Sequence, residues 1–342
     1  MRWFAMNGKF RGCLLGGAIG DSIGWKVEFL TYKEILRQGL KKISKLERNA
    51  EITDDTQLTL FTAEGLILAC SSGTSALLDI SYVVQKVYEA YRRWLYTQGY
   101  RVEIREEGWL CAVKQLHVQR APGATCISAL MSGRMGTIEE PINNSKGSGG
   151  IMRIAPVGLL FPKDLAFELG CKIAAITHGH PSGYYPAGTL AYIISALLEE
   201  NDLSKVISEI LSILQKHKGT EETIEAIEKA IKYSKRSGDD FSNITELGQG
   251  WTAEEALSIA VYCALKYQHN FKKAVLTAVI HDGDSDTTGA ITGNILGVYH
   301  GVKCIPWSWR RVELTSIILR TSDYLEKLRK IFVADKPKLW YK

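Results

Sequence analysis

Two runs of glycine at every fourth position constrain the fold of this chain more than any other feature of its sequence. The runs are Gly12, Gly16, Gly20 and Gly24, and Gly289, Gly293, Gly297 and Gly301. Residues four apart lie on one face of an α-helix, so each run predicts a helix with a ridge that carries no side chains. Glycine costs about 0.5–1 kcal/mol per helical position relative to alanine, which close contact between two packed backbones would offset. Asp21 and the polar flanks disfavour the membrane form of this motif.

Helical periodicity dominates the rest of the chain. Apolar residues between 203 and 214 fall on one helical face, and Thr252-Ala-Glu-Glu255 predicts a capping box at another helix start. Alternation with a period of two is scarce and there is no long linker, although 236–251 is expected to be a loop. We therefore predict an all-α fold, in a single compact multi-helical domain over residues 1–342.

The composition excludes several classes of protein. The chain has 342 residues, 46% of them hydrophobic, which is enough for a large core. Its apolar runs are broken well before the ~18 residues that a membrane span requires. Residues 1–10 do not resemble a signal peptide, and the seven cysteines are scattered without a CxxC pair. We expect reduced thiols and a cytoplasmic protein.

The net charge of +5 is unevenly distributed. Residues 310–342 contain nine Lys/Arg and four Asp/Glu, which indicates a basic C-terminal extension on an otherwise neutral chain. No basic groove is visible, so nucleic acid is not expected as a partner.

The segment HDGDSDTTG places Asp282, Asp284 and Asp286 on alternate positions. Carboxylates this close repel one another, so either water solvates them or a cation holds them. A calcium-binding EF-hand would need Gly at the sixth position and Glu at the twelfth, where this chain has Thr287 and Gly293. The segment is therefore not an EF-hand loop.

Two further acidic groups accompany this segment. Thr53 is a plausible N-cap before Asp54 and Asp55, although an ordinary helix start has the same pattern. Asp21 and Glu28 are seven residues apart, which predicts two turns on one helix face, or simply a solvated stripe. Together with neighbouring hydroxyl groups, these carboxylates form a hard ligand set that suits Mg²⁺, Mn²⁺ or Ca²⁺ better than Zn²⁺.

The glycine-rich segment NNSKGSGGIMRIAP, residues 143–156, lacks the P-loop pattern. Its backbone N–H groups are suited to bind an anion such as a diphosphate. The alternative is a glycine loop that serves only as a turn. His178 and His180 are weak evidence for zinc, so a structural role or a substrate contact is preferred. Trp251 and Tyr184 are candidates for stacking on adenine or for the core.

Six segments in order resemble the conserved blocks of the ADP-ribosylglycohydrolase family, which includes the dinitrogenase reductase-activating glycohydrolase. They run from about residue 10 to 302: GCLLGGAIGDSIGWKVEF, ITDDTQL, GSGGIMRIAPVGL, THGHPSGYYPAG, WTAEEAL and HDGDSDTTGAITGNILG. The resemblance implies an all-α fold around a binuclear magnesium centre, with Mn²⁺ as a substitute. It also implies hydrolysis of an N- or O-glycosidic bond to ADP-ribose.

The resemblance implies a role for individual residues. Asp55 and Glu28 are the candidates for proton transfer, and Asp282 stands where many members have glycine. The implied metal ligands are Thr53, Asp54 and Asp55, then Asp284, Asp286 and Thr287. The implied substrate contacts are Glu28, Gly147, Ser148, Gly149, His178 and Ser285.

The expected substrate is an ADP-ribosylated protein or an ADP-ribosyl small molecule, with arginine favoured as the acceptor and serine as another candidate. A cognate ADP-ribosyltransferase is a further candidate partner. The alternatives are a non-catalytic or immunity-type protein that binds ADP-ribose or blocks such a transferase, and a two-metal phosphoesterase. Members repurposed as structural lens proteins would be expected to lose acidic ligands, which are intact in this chain.

Overall fold

Helices carry nearly all of the regular structure in this computed structural model, which describes residues 3–70, 73, 76, 79–104 and 108–334. Those residues form sixteen α-helices and no β-strand, with isolated bridges only at Ala50–Val312 and Gly147–Thr252. The predicted all-α fold is confirmed. The helices are α1 (Trp3–Gly24), α2 (Tyr32–Gln38), α3 (Leu40–Ile43), α4 (Asp54–Ala69), α5 (Ile80–Thr97), α6 (Ala124–Met131), α7 (Ala155–Leu160), α8 (Lys163–Ala175), α9 (Pro181–Glu199), α10 (Leu203–Leu214), α11 (Glu221–Ser234), α12 (Asp240–Thr245), α13 (Ala253–Lys266), α14 (Phe271–Val279), α15 (Ser285–His300) and α16 (Thr315–Ala334).

The two glycine ridges pack directly against each other, with α1 and α15 antiparallel. A β-carbon added to Gly20 would lie 1.9 Å from the carbonyl oxygen of Gly289, and one added to Gly293 would lie 2.0 Å from that of Gly16. No side chain fits at such distances, so the predicted close backbone contact is confirmed. The contact places the start of α15 beside the end of α1, and this is where the acidic segments meet.

Other helices bury the faces that their sequences predict. The helix expected between 203 and 214 is α10, and its residues Leu203, Val206 and Ile210 are buried. All seven cysteines are free thiols. Among the described residues, no helix combines the length and the apolar character needed to cross a membrane.

Helix α16 accounts for most of the basic segment 310–342, and it is part of the core. Its Arg329 is buried, donates to the carbonyl oxygen of Phe161 at 2.7 Å and pairs with Glu199 at 3.1 Å. Residues 1–2 and 335–342, the two ends of the predicted domain, lie outside the described residues.

Two local predictions near α13 were wrong. The segment 236–251 is not entirely a loop, because it contains α12, capped by Asp239. Thr252 does precede α13, but its side chain caps no N–H group, so the capping box is absent. Glu255 instead accepts the backbone N–H groups of Gln249 and Gly250, at 3.2 and 3.1 Å, because the glycine-rich turn brings those groups within its reach.

Candidate functional site

The start of α4 presents the first pair of aspartates. The hydroxyl of Thr53 caps the helix by accepting the N–H of Asp55 at 3.3 Å, as the sequence predicts. Asp54 and Asp55 therefore occupy the first helical turn, where free N–H groups favour negative charge. Asp54 also accepts the backbone N–H of Gly123 at 3.1 Å, which fixes its carboxylate from the opposite side.

The start of α15 presents the second pair. Asp284 caps this helix, and it accepts the N–H of Thr287 at 3.3 Å and the hydroxyl of Ser148 at 2.6 Å. Asp286 accepts the same Thr287 N–H at 3.0 Å. The hydroxyl of Thr287 also lies 3.5 Å from Oδ1 of Asp55, so the structure brings the two predicted ligand sets together.

Asp21 links α1 to the start of α4 and was absent from the predicted ligand set. It is fully buried on α1 and accepts the backbone N–H groups of Thr53 and Thr56, the former at 3.0 Å. The sequence did contain a signal for it, since an aspartate within an apolar, glycine-rich helix must find buried partners.

Glu28 also lies beside these aspartates, but on a different local structure from the one that the sequence predicted. Helix α1 ends at Gly24, so Asp21 and Glu28 do not share two turns of one helix face. Glu28 lies in the turn that follows, where its N–H donates to the carbonyl oxygen of Gly24 at 2.9 Å. The turn lets the side chain approach the second pair of aspartates from the outside.

These side chains form what we call the acidic cluster: Asp21, Glu28, Asp54, Asp55, Asp284 and Asp286. Its aspartates are at most 5% exposed, and Glu28 is half-buried. Glu28, Asp284 and Asp286 each offer an oxygen within 4.8 Å of the other two. Within the part of the chain that the structure describes, no donor satisfies Oε2 of Glu28 or Oδ2 of Asp55.

The pKa values of the cluster show the cost of this arrangement. Burial, followed by the charges of Asp286 and Asp54, raises the pKa of Glu28 to about 9. Burial and the charge of Asp286 raise the pKa of Asp21 to about 7. The pKa values of Asp54, Asp55 and Asp284 are also well above the usual range, chiefly because of burial. A divalent cation would offset this cost, and buried carboxylate oxygens without donors are suited to bind Mg²⁺.

The glycine-rich segment lies against the acidic cluster. Ser148, Gly149 and Gly150 form one 3₁₀ turn before α7, so the segment does not lead straight into a long helix. The N–H of Ser148 donates to the carbonyl oxygen of Trp251 at 3.1 Å, and that N–H is therefore not free to bind an anion. The Nζ of Lys146 lies 3.1 Å from carboxylate oxygens of both Glu222 and Glu254, which ties the segment to α11 and α13.

The ring of His178 packs against the glycine-rich segment. It is buried, and a β-carbon added to Gly149 would lie 3.0 Å from its Cε1. Burial and the charge of Arg153 lower the pKa of His178 to about 3, so the ring is neutral. His180 caps α9 by accepting the N–H of Ser182 at 3.0 Å. Among the described residues, the group with metal-binding geometry contains neither histidine.

Of the two aromatic candidates for adenine stacking, Trp251 is exposed and Tyr184 is buried. Trp251 stacks on Phe29 with ring centroids 5.6 Å apart, and Phe29 itself is 69% exposed. Tyr184 packs on Tyr185 in the interior, with centroids 4.7 Å apart. Phe29 was not predicted as a site residue, because nothing in the sequence distinguishes it from a core residue.

Asp282 lies in the loop before α15 and Ser285 is the first residue of that helix, and the two residues make different contacts. Asp282 accepts the backbone N–H of Tyr32 at the start of α2. Ser285 is buried, and its hydroxyl donates to the carbonyl oxygen of Gly283 at 3.3 Å.

Comparison with known proteins agrees with this fold. The sequence model of the family described as ADP-ribosylglycohydrolase matches residues 5–337. A human protein named ADP-ribosylhydrolase ARH3 is 25% identical over 341 residues, covering 89% of this chain and 88% of its own. A Rhodospirillum rubrum protein named ADP-ribosyl-[dinitrogen reductase] glycohydrolase is 25% identical over 318 residues. This match covers 89% of the present chain and 90% of the Rhodospirillum rubrum protein.

A solved structure shares the fold. It is described as an ADP-ribosylglycohydrolase-related protein complex, and it superposes with a TM-score of 0.67 at 21% identity. The match covers 95% of this chain and 99% of the other.

Proposed function

The chain belongs to the ADP-ribosylglycohydrolase family, and on this premise we propose that it hydrolyses the glycosidic bond between ADP-ribose and a modified protein side chain. The names of two relatives, a hydrolase and a glycohydrolase of ADP-ribosyl groups, support the class of bond. Arginine is the acceptor that we favour, because an acidic site attracts a guanidinium group, and serine is the second. A cognate ADP-ribosyltransferase, which would attach the group, is a further candidate partner.

The observation that carries the proposal is the acidic cluster with its unsatisfied oxygens on Glu28 and Asp55. Two Mg²⁺ ions, or Mn²⁺ in their place, are the proposed cofactors. When bound, they would supply Lewis-acid polarisation of ribose oxygens. The proposed ligands are Thr53, Asp54, Asp55, Asp284, Asp286 and Thr287.

Proton transfer in the proposed reaction falls to Asp55 and Glu28. Cleavage of a glycosidic bond needs one carboxylate that accepts a proton from water and one carboxyl group that donates a proton to the leaving group. Asp55 is buried, while Glu28 is half-buried at the edge of the cluster. Glu28→Gln tests the role of Glu28, since it should remove one limb of the pH–rate profile. Asp55→Asn should instead stop turnover, because Asp55 is also a proposed metal ligand.

The surroundings of the cluster suit the remainder of an ADP-ribosyl group. We propose that Gly147, Ser148 and Gly149 face the diphosphate, with Ser148 also oriented by Asp284. His178 supports these residues, and Ser285 shapes the adjoining loop. Exposed Trp251 is the proposed stacking surface for adenine.

The decisive experiment is incubation of the purified protein with arginine-linked and serine-linked ADP-ribosyl proteins, with Mg²⁺ or with EDTA. The proposal expects Mg²⁺-dependent release of ADP-ribose. Release of AMP would instead indicate a phosphoesterase, and tight binding without product would indicate a non-catalytic binder.

Two variants control this assay. Asp55→Asn should stop the release while the helical circular dichroism spectrum is retained. Asp202→Asn should not change it, because Asp202 caps α10 by accepting the N–H of Lys205, outside the acidic cluster.

A further inference from the structure

We propose that Asp282 is a positioning residue that holds the turn bearing Glu28 against the acidic cluster. Asp282 lies in the loop before α15, two residues ahead of the N-cap Asp284, but its carboxylate Oδ1 accepts the backbone N–H of Tyr32. This contact joins the cluster loop to a segment that is 250 positions away in the chain. The kinetic part of the inference rests on the proposed function, whereas the structural part does not.

The segment between Glu28 and Tyr32 is weakly held against the acidic cluster. Phe29 is 69% exposed and has a φ of +65°, a conformation that is uncommon for a residue other than glycine. Glu28 lies within 4.8 Å of Asp284 and Asp286, and carboxyl groups do not form ion pairs with one another. The turn is held by the bond from the Glu28 N–H to Gly24 and by the stack of Phe29 on Trp251, and neither contact involves the side chain of Glu28.

Contacts at the start of α2 supply a further restraint. Besides the bond to Asp282, the ring of Tyr32 stacks on Phe241 with centroids 3.8 Å apart and planes at 8°. Thr31 and Glu34 form a capping box that makes this helix start rigid. A carboxylate that fixes Tyr32 thereby limits where Glu28, four residues earlier, can lie.

The loop that carries Asp282 is itself firmly shaped. Gly283 has a φ of +138°, and a β-carbon there would lie 2.1 Å from the carbonyl oxygen of Gln249. The N–H of Asp284 donates to that same oxygen at 2.9 Å. Asp282 therefore projects from a fixed loop, which allows it to anchor a less restrained one.

A role for Asp282 as a metal ligand is less consistent with the structure. Among the described residues, the group whose oxygens lie within 4.8 Å of one another is Glu28, Asp284 and Asp286. Asp282 is outside this group, and one of its oxygens already accepts a backbone N–H.

Hydrogen exchange of the Tyr32 amide tests the contact directly, in the full-length protein and without substrate. In Asp282→Ala, the hydrogen of this amide should exchange with solvent about tenfold faster than in the wild type, as expected for the loss of a hydrogen bond to a charged group. Asp282→Asn should stay protected, because its amide oxygen still accepts. Asp202→Ala removes an equivalent helix-cap bond at α10 and should leave Tyr32 unchanged. An unchanged Tyr32 amide in Asp282→Ala would overturn the proposal.

Kinetics test the consequence for Glu28. Asp282→Ala should lower kcat on the ADP-ribosyl substrate about tenfold or more with little change in KM, as a misplaced group does, and Asp282→Asn should restore most of it. Equal losses in both variants would show that charge, not the hydrogen bond, matters, and would overturn the positioning role. An unaltered kcat in Asp282→Ala would do the same. If the wild type releases no ADP-ribose, the proposed function fails, while the Tyr32 amide still decides whether the anchor exists.

Discussion

Asp21 and Thr53 are 32 positions apart in the chain, yet both carboxylate oxygens of Asp21 accept the backbone N–H of Thr53, at 3.0 and 3.1 Å. Asp21 also accepts the N–H and the hydroxyl of Thr56. This residue therefore has many donors, whereas Asp55, in the same cluster, has one oxygen without any among the described residues. The difference separates a carboxylate that organises the fold from one that is available to a cation.

Asp55→Asn should raise the free energy of unfolding in EDTA, because it replaces a buried carboxyl group whose pKa is raised by burial and by four neighbouring aspartates. Denaturant titration with and without Mg²⁺ measures this, and the gain should disappear when Mg²⁺ is present. A lower stability in EDTA would show that the repulsion is already relieved in the metal-free protein.

Asp21→Asn should have the opposite effect and lower the free energy of unfolding by about 1–3 kcal/mol in EDTA, because its new NH₂ group would face the N–H donors of Thr53 and Thr56. The same denaturant titration provides the comparison with Asp55→Asn. If the two variants changed stability in the same direction, the division of roles between them would be wrong.

The metal-free protein should lose stability as the pH rises from about 4 to 9. The folded-state pKa values of Asp21 and Glu28, about 7 and about 9, exceed their ordinary values of 3.8 and 4.5. A carboxyl group with a raised pKa favours the folded state fully below its ordinary pKa, and this contribution is lost as the pH passes through the raised value. Melting temperatures in EDTA at pH 5, 7 and 9 should therefore decline, and Mg²⁺ should reduce the decline. Glu28→Gln should make the decline in melting temperature between pH 7 and 9 smaller. A melting temperature that increased with pH would contradict this prediction.

Gly20→Ala should destabilise the protein by about 3 kcal/mol or more, because its β-carbon would lie 1.9 Å from the carbonyl oxygen of Gly289 and would force α1 and α15 apart. Thermal unfolding measures the loss. Gly8→Ala is the matched control on α1, since the nearest atom to its β-carbon is 4.0 Å away. That variant should be neutral or more stable by about 0.5–1 kcal/mol through helix propensity. Equal effects of the two variants would contradict the close-contact explanation.

Lys146→Met should raise KM about threefold to tenfold with kcat nearly unchanged. It removes the contacts to Glu222 and Glu254 that tie down the glycine-rich segment, although half-exposed ion pairs are individually weak. Steady-state kinetics on the ADP-ribosyl substrate separate the two parameters. Lys146→Arg keeps both charges paired and should behave like the wild type, while a loss confined to kcat would argue against a binding role for the segment.

The sequence predicted the parts of the fold that depend on regular spacing. The four-residue glycine period predicted two helix ridges in close backbone contact with other helices, although it did not predict that α1 and α15 pack on each other. Thr53 was recognised as a cap because its hydroxyl acts on the N–H of Asp55, only two residues away. Such signals are local or strictly periodic, so they can be read without a structure.

Features that depend on a particular turn could not be predicted in this way. Periodicity did not show that α1 ends at Gly24, and so Glu28 was placed on a helix instead of in the following turn. Glu255 bonds to Gln249 and Gly250 because of a turn with left-handed glycines, which defeated the capping-box pattern. The Asp282–Tyr32 contact joins distant segments and leaves no local trace.

The pairing of α1 with α15 has a consequence for the order in which the protein is made. Asp54 leaves the ribosome 230 residues ahead of Asp284, and the bare face of α1 has no partner until α15 emerges. Contacts between such distant segments form late in folding, because the intervening chain must first be ordered. A nascent chain without α15 therefore carries only four of the six residues of the acidic cluster. The complete cluster is assembled in one late event, so any activity that depends on it arises only when the fold closes.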